Sequence, residues 1–142
     1  MRRSKKIDIQ LYQCKVHLIL TDNLEKEYLR IHKKYNELPE DTAESGEAWT
    51  LTFSISDYYI LVSKMSTNTI AHEVYHVVYS ILHDRDIDDE ESGAWLCGML
   101  IDEALKFYKN GFHRPVRKIK GDASGPGEDG TDNQHLCKSD DD

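Results

Sequence analysis

A chain of 142 residues, 39% of them hydrophobic, has enough apolar material for one modest core and predicts a single folding domain. Six of its eight net negative charges fall after residue 121, so the part expected to fold is nearly neutral. That argues against a nucleic-acid-binding domain, which needs a concentrated basic face to displace counterions, and the basic clusters at residues 2–6 and 114–120 read as solvated charge runs.

Cys14, Cys97 and Cys137 lie far apart with no Cys-X-X-Cys spacing, and an odd number rules out a closed disulfide framework. A reducing compartment fits that usage best. No stretch approaches the roughly 20 apolar residues needed to cross a bilayer, and the start MRRSKK leads into IDIQLYQ rather than a signal-peptide apolar core. The expected location is the cytoplasm, with no membrane partner.

In chain order, Ile7, Ile9 and Leu11 alternate with polar residues, as do Val16, Leu18 and Leu20, which predicts one or two strands in the first twenty residues. The period changes at residues 23–35, where Leu24, Tyr28, Ile31 and Tyr35 recur at helical spacing after a Thr-Asp-Asn start signal. Residues 36–47, with Pro39 and Gly46, read as a loop. Two β-rich runs, 48–55 and 58–65, separated by Ser56-Asp57, predict a hairpin. Capping side chains at residues 66–68 precede a helix over 69–83, and after an acidic break a second long helix runs over 90–108, stopping near Asn110-Gly111. The chain thus divides into a flexible basic start (1–6), a folded domain (7–112) and an acidic tail (113–142) too poor in apolar residues to order.

The chemistry lies on the first of the long helices. His72-Glu73-Val74-Tyr75-His76 sets two imidazoles four residues apart, so both project from one face about one turn apart and can share one metal ion. Zinc accepts imidazole nitrogen, and a catalytic site uses three protein ligands with water in the fourth position. The metal brings that water's pKa towards about 7, and Glu73 is placed to take its proton and return it to the leaving amine. Ile70, Val74, Val77, Val78 and Ile81 form the apolar stripe of this helix, with His72, His76 and His83 on the opposite face. The bland alternative is a wet polar face.

A third ligand has to come from elsewhere. His83 is seven residues past His76, roughly 10 Å along the axis at 1.5 Å per residue, and reads as a helix-end residue near the negative dipole pole. Glu91 is the leading candidate, because Ala94 and Gly98 continue its face and would let the two helices approach closely. Glu90 is the rival, on a more apolar face with Cys97 and Ile101. Either acid would also stabilise a helix N-terminus and do nothing more. Cys97 reads as a small buried residue, and Tyr58, Tyr59, Tyr75 and Tyr79 are assigned no catalytic role.

TIAHEVYHVVYSIL followed by EESGAWLCGML resembles the minimal gluzincin metallopeptidases, and within them the small metallopeptidase-like proteins of phages and mobile elements, with a layout related to the ImmA/IrrE-type and SprT-type families. The resemblance is strongest over residues 69–100. It implies an α+β, zincin-like fold in which an N-terminal helix and a short three- to four-stranded sheet back the His-Glu-X-X-His helix and a following glutamate helix. It also implies Zn2+ held by His72, His76 and Glu91, with Glu73 as the base and a protein or peptide as substrate. Two departures stand out: the position four after the glutamate, Asn or Asp in ImmA-like and thermolysin-like enzymes, is Trp95, and no proline-containing segment follows the second helix as in ImmA-type proteins. By the same resemblance an extended substrate pairs with the edge strand beside the cleft, for which residues 59–64 are the expected strand. The competing readings are a catalytically silent zinc-binding regulatory module and a purely structural zinc.

Overall fold

The computed structural model describes residues 1–39 and 46–112. Four strands form one mixed sheet in the order β1-β2-β4-β3, and three helices cover it, giving an α+β architecture. The strands are β1 (Arg2–Ile9), β2 (Cys14–Thr21), β3 (Ala48–Ser54) and β4 (Asp57–Val62); the helices are α1 (Leu24–Tyr35), α2 (Thr67–His83) and α3 (Glu90–Phe112). No helix among the described residues is long and apolar enough to cross a membrane. The acidic tail expected over 113–142 lies outside the described residues.

Strand alternation sorts the side chains into two layers. Val16, Leu18 and Leu20 of β2, with Tyr58, Ile60 and Val62 of β4, face α2 and α3, whereas Ile19, Tyr59 and Leu61 face α1. The α2 stripe of Ile70, Val74, Val77, Val78 and Ile81 is withdrawn from water, as its helical spacing requires, together with Leu96, Leu100, Ala104 and Tyr108 of α3. Asn23 caps α1 by accepting from the Lys26 N–H at 2.8 Å, and Ser66 caps α2 by accepting from the Thr69 N–H at 2.9 Å. The expected hairpin forms, but its turn lies at residues 55–56 rather than 56–57, and β4 starts at Asp57 and ends at Val62 rather than at residue 65.

Two expectations change here. Residues 2–6 are not a free basic arm: Arg2 to Lys6 pair in register with Thr21 to His17, and β1 forms one edge of the sheet. Lysine on an edge strand guards its open hydrogen-bonding groups against pairing with another chain. Nor is the strand containing Tyr59 an edge. β4 lies between β2, to which it is parallel, and β3, to which it is antiparallel, so the edge beside α2 is β3. The stretch Tyr58 to Val62 is buried on both faces, the mark of a central strand.

One buried carboxylate ties the sheet edge to α1. Glu27 accepts from Arg2 of β1 at 2.9 Å and from Arg30 at 2.9 Å. Burial pulls its carboxyl up, but the two guanidiniums outweigh that and hold it below its ordinary value. A depressed carboxyl contributes stability that is fully present above its unfolded value, near 4.5, and is lost as pH falls through the folded value. The urea midpoint is therefore expected to fall as pH drops from about 5 to about 3, and to fall less steeply in Glu27→Gln. Parallel curves for the two proteins would show that this triad does not carry the acid sensitivity.

Candidate functional site

Both imidazoles come from α2, whose cap and apolar stripe fix its rotation, so His72 and His76 point to solvent on the side away from the core. Their Nε2 atoms converge to 3.0 Å, and the rings stand nearly perpendicular, 83° apart with centroids at 4.6 Å. Two nitrogens bound to one tetrahedral zinc at about 2.0–2.1 Å would lie about 3.3 Å apart, so the pair needs only a slight opening of its side-chain torsions to hold such an ion. The donor chemistry and the convergence fit two positions of a zinc site.

Glu73 occupies a different environment, about 100° further round the helix from His72. It is buried, 8% exposed, and its Oε2 accepts a 2.7 Å hydrogen bond from the Thr50 hydroxyl on β3. The same hydroxyl lies 3.2 Å from the Glu73 carbonyl oxygen, so Thr50 pins both the side chain and its turn of helix to the edge strand. Among the described residues no lysine or arginine pairs with this carboxylate. Tyr108 of α3 is fully buried in the same core, its hydroxyl donating to the Ile60 carbonyl at 2.9 Å. Burial pushes the Tyr108 phenol far above its ordinary value, and the Glu73 charge adds to that, so it stays a neutral donor.

The expected third ligand is not brought to the pair. Among the described residues no three His, Cys, Asp or Glu side chains stand close enough together to hold a metal ion. The reason is the direction of α3. Residues 84–89 turn the chain back, so the start of α3 lies against the end of α2, with the ideal Cβ position of Gly93 3.4 Å from Leu82. Leu82 is six residues beyond His76, roughly 9 Å along the axis, and Glu90 and Glu91 lie further still. The helical phase differs from the expectation too. Gly98, thought to share a close-packed face with Glu91, has open space beside it, while Glu90 lines a groove against Tyr79, Leu82 and His83.

The remaining residues fall mostly where their sequence context puts them. His83 is the last residue of α2, exposed and stacked on Tyr79 with centroids 5.8 Å apart. Cys97 is half-buried, and burial pushes its thiol up, which keeps it protonated. Cys14 and Cys97 are both free thiols. Trp95 is 60% exposed, on the surface of α3. Thr50 and Tyr108 were not among the sequence candidates. A signal for Thr50 existed: in β3 the residues facing α2 are Ala48, Thr50 and Thr52, a polar face where a core-facing strand would be apolar, which points to a polar partner on the helix.

Comparison with protein-family models, curated proteins and solved structures found no match to this chain.

Proposed function

We propose that the chain is a zinc-dependent peptidase acting on a specific protein substrate, with His72 and His76 as zinc ligands and Glu73 as general base. The observation that supports it most is Glu73 itself. A buried carboxylate that has, among the described residues, one hydroxyl donor and no cationic partner lowers stability, and such groups cluster where chemistry needs them. Glu73 follows His72 directly in the chain, on the same turn of α2 as two exposed imidazoles whose nitrogens already converge, and a cation held by them would bring a countercharge to that turn.

Zinc, when bound, lowers the pKa of water towards about 7 and polarises a carbonyl. The chain's residues do the rest. Thr50 holds Oε2 of Glu73, leaving Oε1 to accept the proton of the attacking water and to deliver it to the leaving amine nitrogen. As placed, neither Glu91 nor its rival Glu90 reaches the imidazole pair, so in this reading either completes the ligand set only after α3 shifts along α2 on zinc binding, and the zinc content of Glu90→Ala and Glu91→Ala decides between these two and a donor outside residues 1–39 and 46–112. The substrate backbone pairs with β3, the edge beside α2, rather than with β4.

A catalytically silent zinc-binding interaction module is the second reading, favoured by the exposed aromatic side chains Tyr75, Tyr79 and Trp95. A quenched-fluorescent peptide mixture separates the two. Cleavage that stops on chelation with phenanthroline and returns with added zinc is the expected result; no cleavage of any sequence by zinc-loaded protein would favour the module.

A further inference from the structure

A groove of about 790 Å3 runs between the second half of α2 and the first turns of α3. Val78, Leu82 and Ile87 give it an apolar floor. Tyr75 and Tyr79 stand along it, both about 60% exposed, and the Tyr75 ring lies 6.3 Å from that of His76, so the groove opens beside the imidazole pair. Its rim is acidic, with Asp86, Asp88, Asp89 and Glu90 all exposed. Among the described residues none of the four is paired with lysine or arginine. Asp89 has a structural duty, accepting from the Ser92 N–H at the start of α3; the other three have no hydrogen bond from their side chains to described residues.

An apolar floor under unpaired carboxylates complements one kind of occupant. Lysine and arginine carry long aliphatic stems that cover apolar surface while the charged head reaches the rim, and their cations are attracted to tyrosine faces. We propose that this groove docks a Lys/Arg-rich segment, interspersed with aliphatic residues, of the protein substrate. That the docked protein is a substrate rests on the peptidase reading; the docking does not. Leu82 is six residues from His76, roughly 9 Å along α2, so the rim meets side chains about three residues from a bond held at the imidazoles, at about 3.3 Å per extended residue.

The test is binding by the full chain under chelation, where no hydrolysis intervenes. The probe is a fluorescein-labelled twelve-residue peptide alternating Lys and Leu, with a Gln/Leu peptide as its neutral match. In the rim variant Asp86→Asn/Asp88→Asn/Glu90→Gln, Asp89 keeps its capping role. Asp86 has φ 51°, a left-handed conformation that asparagine tolerates well. A control variant, Asp8→Asn/Glu25→Gln/Glu37→Gln, removes the same charge elsewhere. The rim variant is expected to lose about tenfold in affinity for the Lys/Leu peptide, a few-fold per exposed ion pair, while the control retains it and the Gln/Leu peptide does not distinguish the proteins. Equal loss in both variants, or no loss, would overturn the proposal. So would tighter peptide binding after Arg114, Arg117, Lys118 and Lys120 are changed to Gln, because the chain's own segment would then be the occupant. Rim-dependent binding by a protein that cleaves nothing when loaded with zinc would sustain the groove and remove the peptidase reading. Cleavage indifferent to Asp86→Asn/Asp88→Asn, which leaves both candidate glutamate ligands in place, would do the reverse.

Discussion

Glu73→Gln is expected to lower peptide hydrolysis by about 10²–10⁴-fold, the usual contribution of a positioned general base, while zinc content and the urea midpoint stay near wild type. The substitution is nearly isosteric, and the amide oxygen it introduces can still accept from the Thr50 hydroxyl, so the link from β3 to α2 survives while the proton acceptor is lost. Removing the burial cost of a carboxylate that has no lysine or arginine partner among the described residues should raise stability slightly. Thr50→Val supplies the complementary result. It keeps the shape of the side chain and removes the hydroxyl that donates to Glu73, so hydrolysis should fall by about 10–100-fold, as when a ligand's or base's supporting hydrogen bond is deleted elsewhere. Rates for both variants within about twofold of wild type, with zinc bound, would mean that the Thr50–Glu73 contact is only a structural tie.

The largest effect on stability is expected from Leu100→Ala. Leu100 is 1% exposed, in the cluster shared by α2, α3 and the inner face of β2 and β4. Truncation should cost about 2–5 kcal/mol, the transfer term of the lost methyls plus the cavity left behind. A domain of this size has about 5–15 kcal/mol in all, so the change removes a large share and lowers the urea midpoint without altering the slope of the transition. Exposed Trp95 on the same helix makes the contrast. Trp95→Ala should leave the stability within about 0.5 kcal/mol, as is usual for a surface site.

Much of this architecture is legible in the sequence because its signals are local and strong. The α2 stripe and the position of His72 and His76 opposite it follow from a 3.6-residue period alone, as do the caps at Asn23 and Ser66 from their side chains. Features that depend on distant partners are not legible in the same way. Residues 58–62 read as a β-run, but their place between two strands depends on a partner strand far away in sequence; the hint was that Tyr58, Tyr59, Ile60, Leu61 and Val62 leave no polar face for solvent. Residues 2–6 look like a solvated arm because lysines and arginines dominate them, yet an edge strand carries those residues comfortably. For α3, helical spacing separates the faces of Glu90 and Glu91. It says nothing of which face meets α2 or at what height, and both depend on how residues 84–89 turn the chain. Thr50 was missed because its partner lies on another element, and only the polar inner face of β3 marks it.

Whether His72 and His76 form one metal site is tested most directly by zinc stoichiometry. Full-length protein without a histidine tag, loaded with zinc and desalted, is measured by mass spectrometry beside His72→Ala, His76→Ala, Glu90→Ala and Glu91→Ala. The expected result is one zinc per chain in the wild type and none in either histidine variant, with unchanged circular dichroism because both imidazoles are exposed and carry no core packing. Wild-type protein that binds no zinc, or a zinc that persists in both histidine variants, would contradict the proposed site.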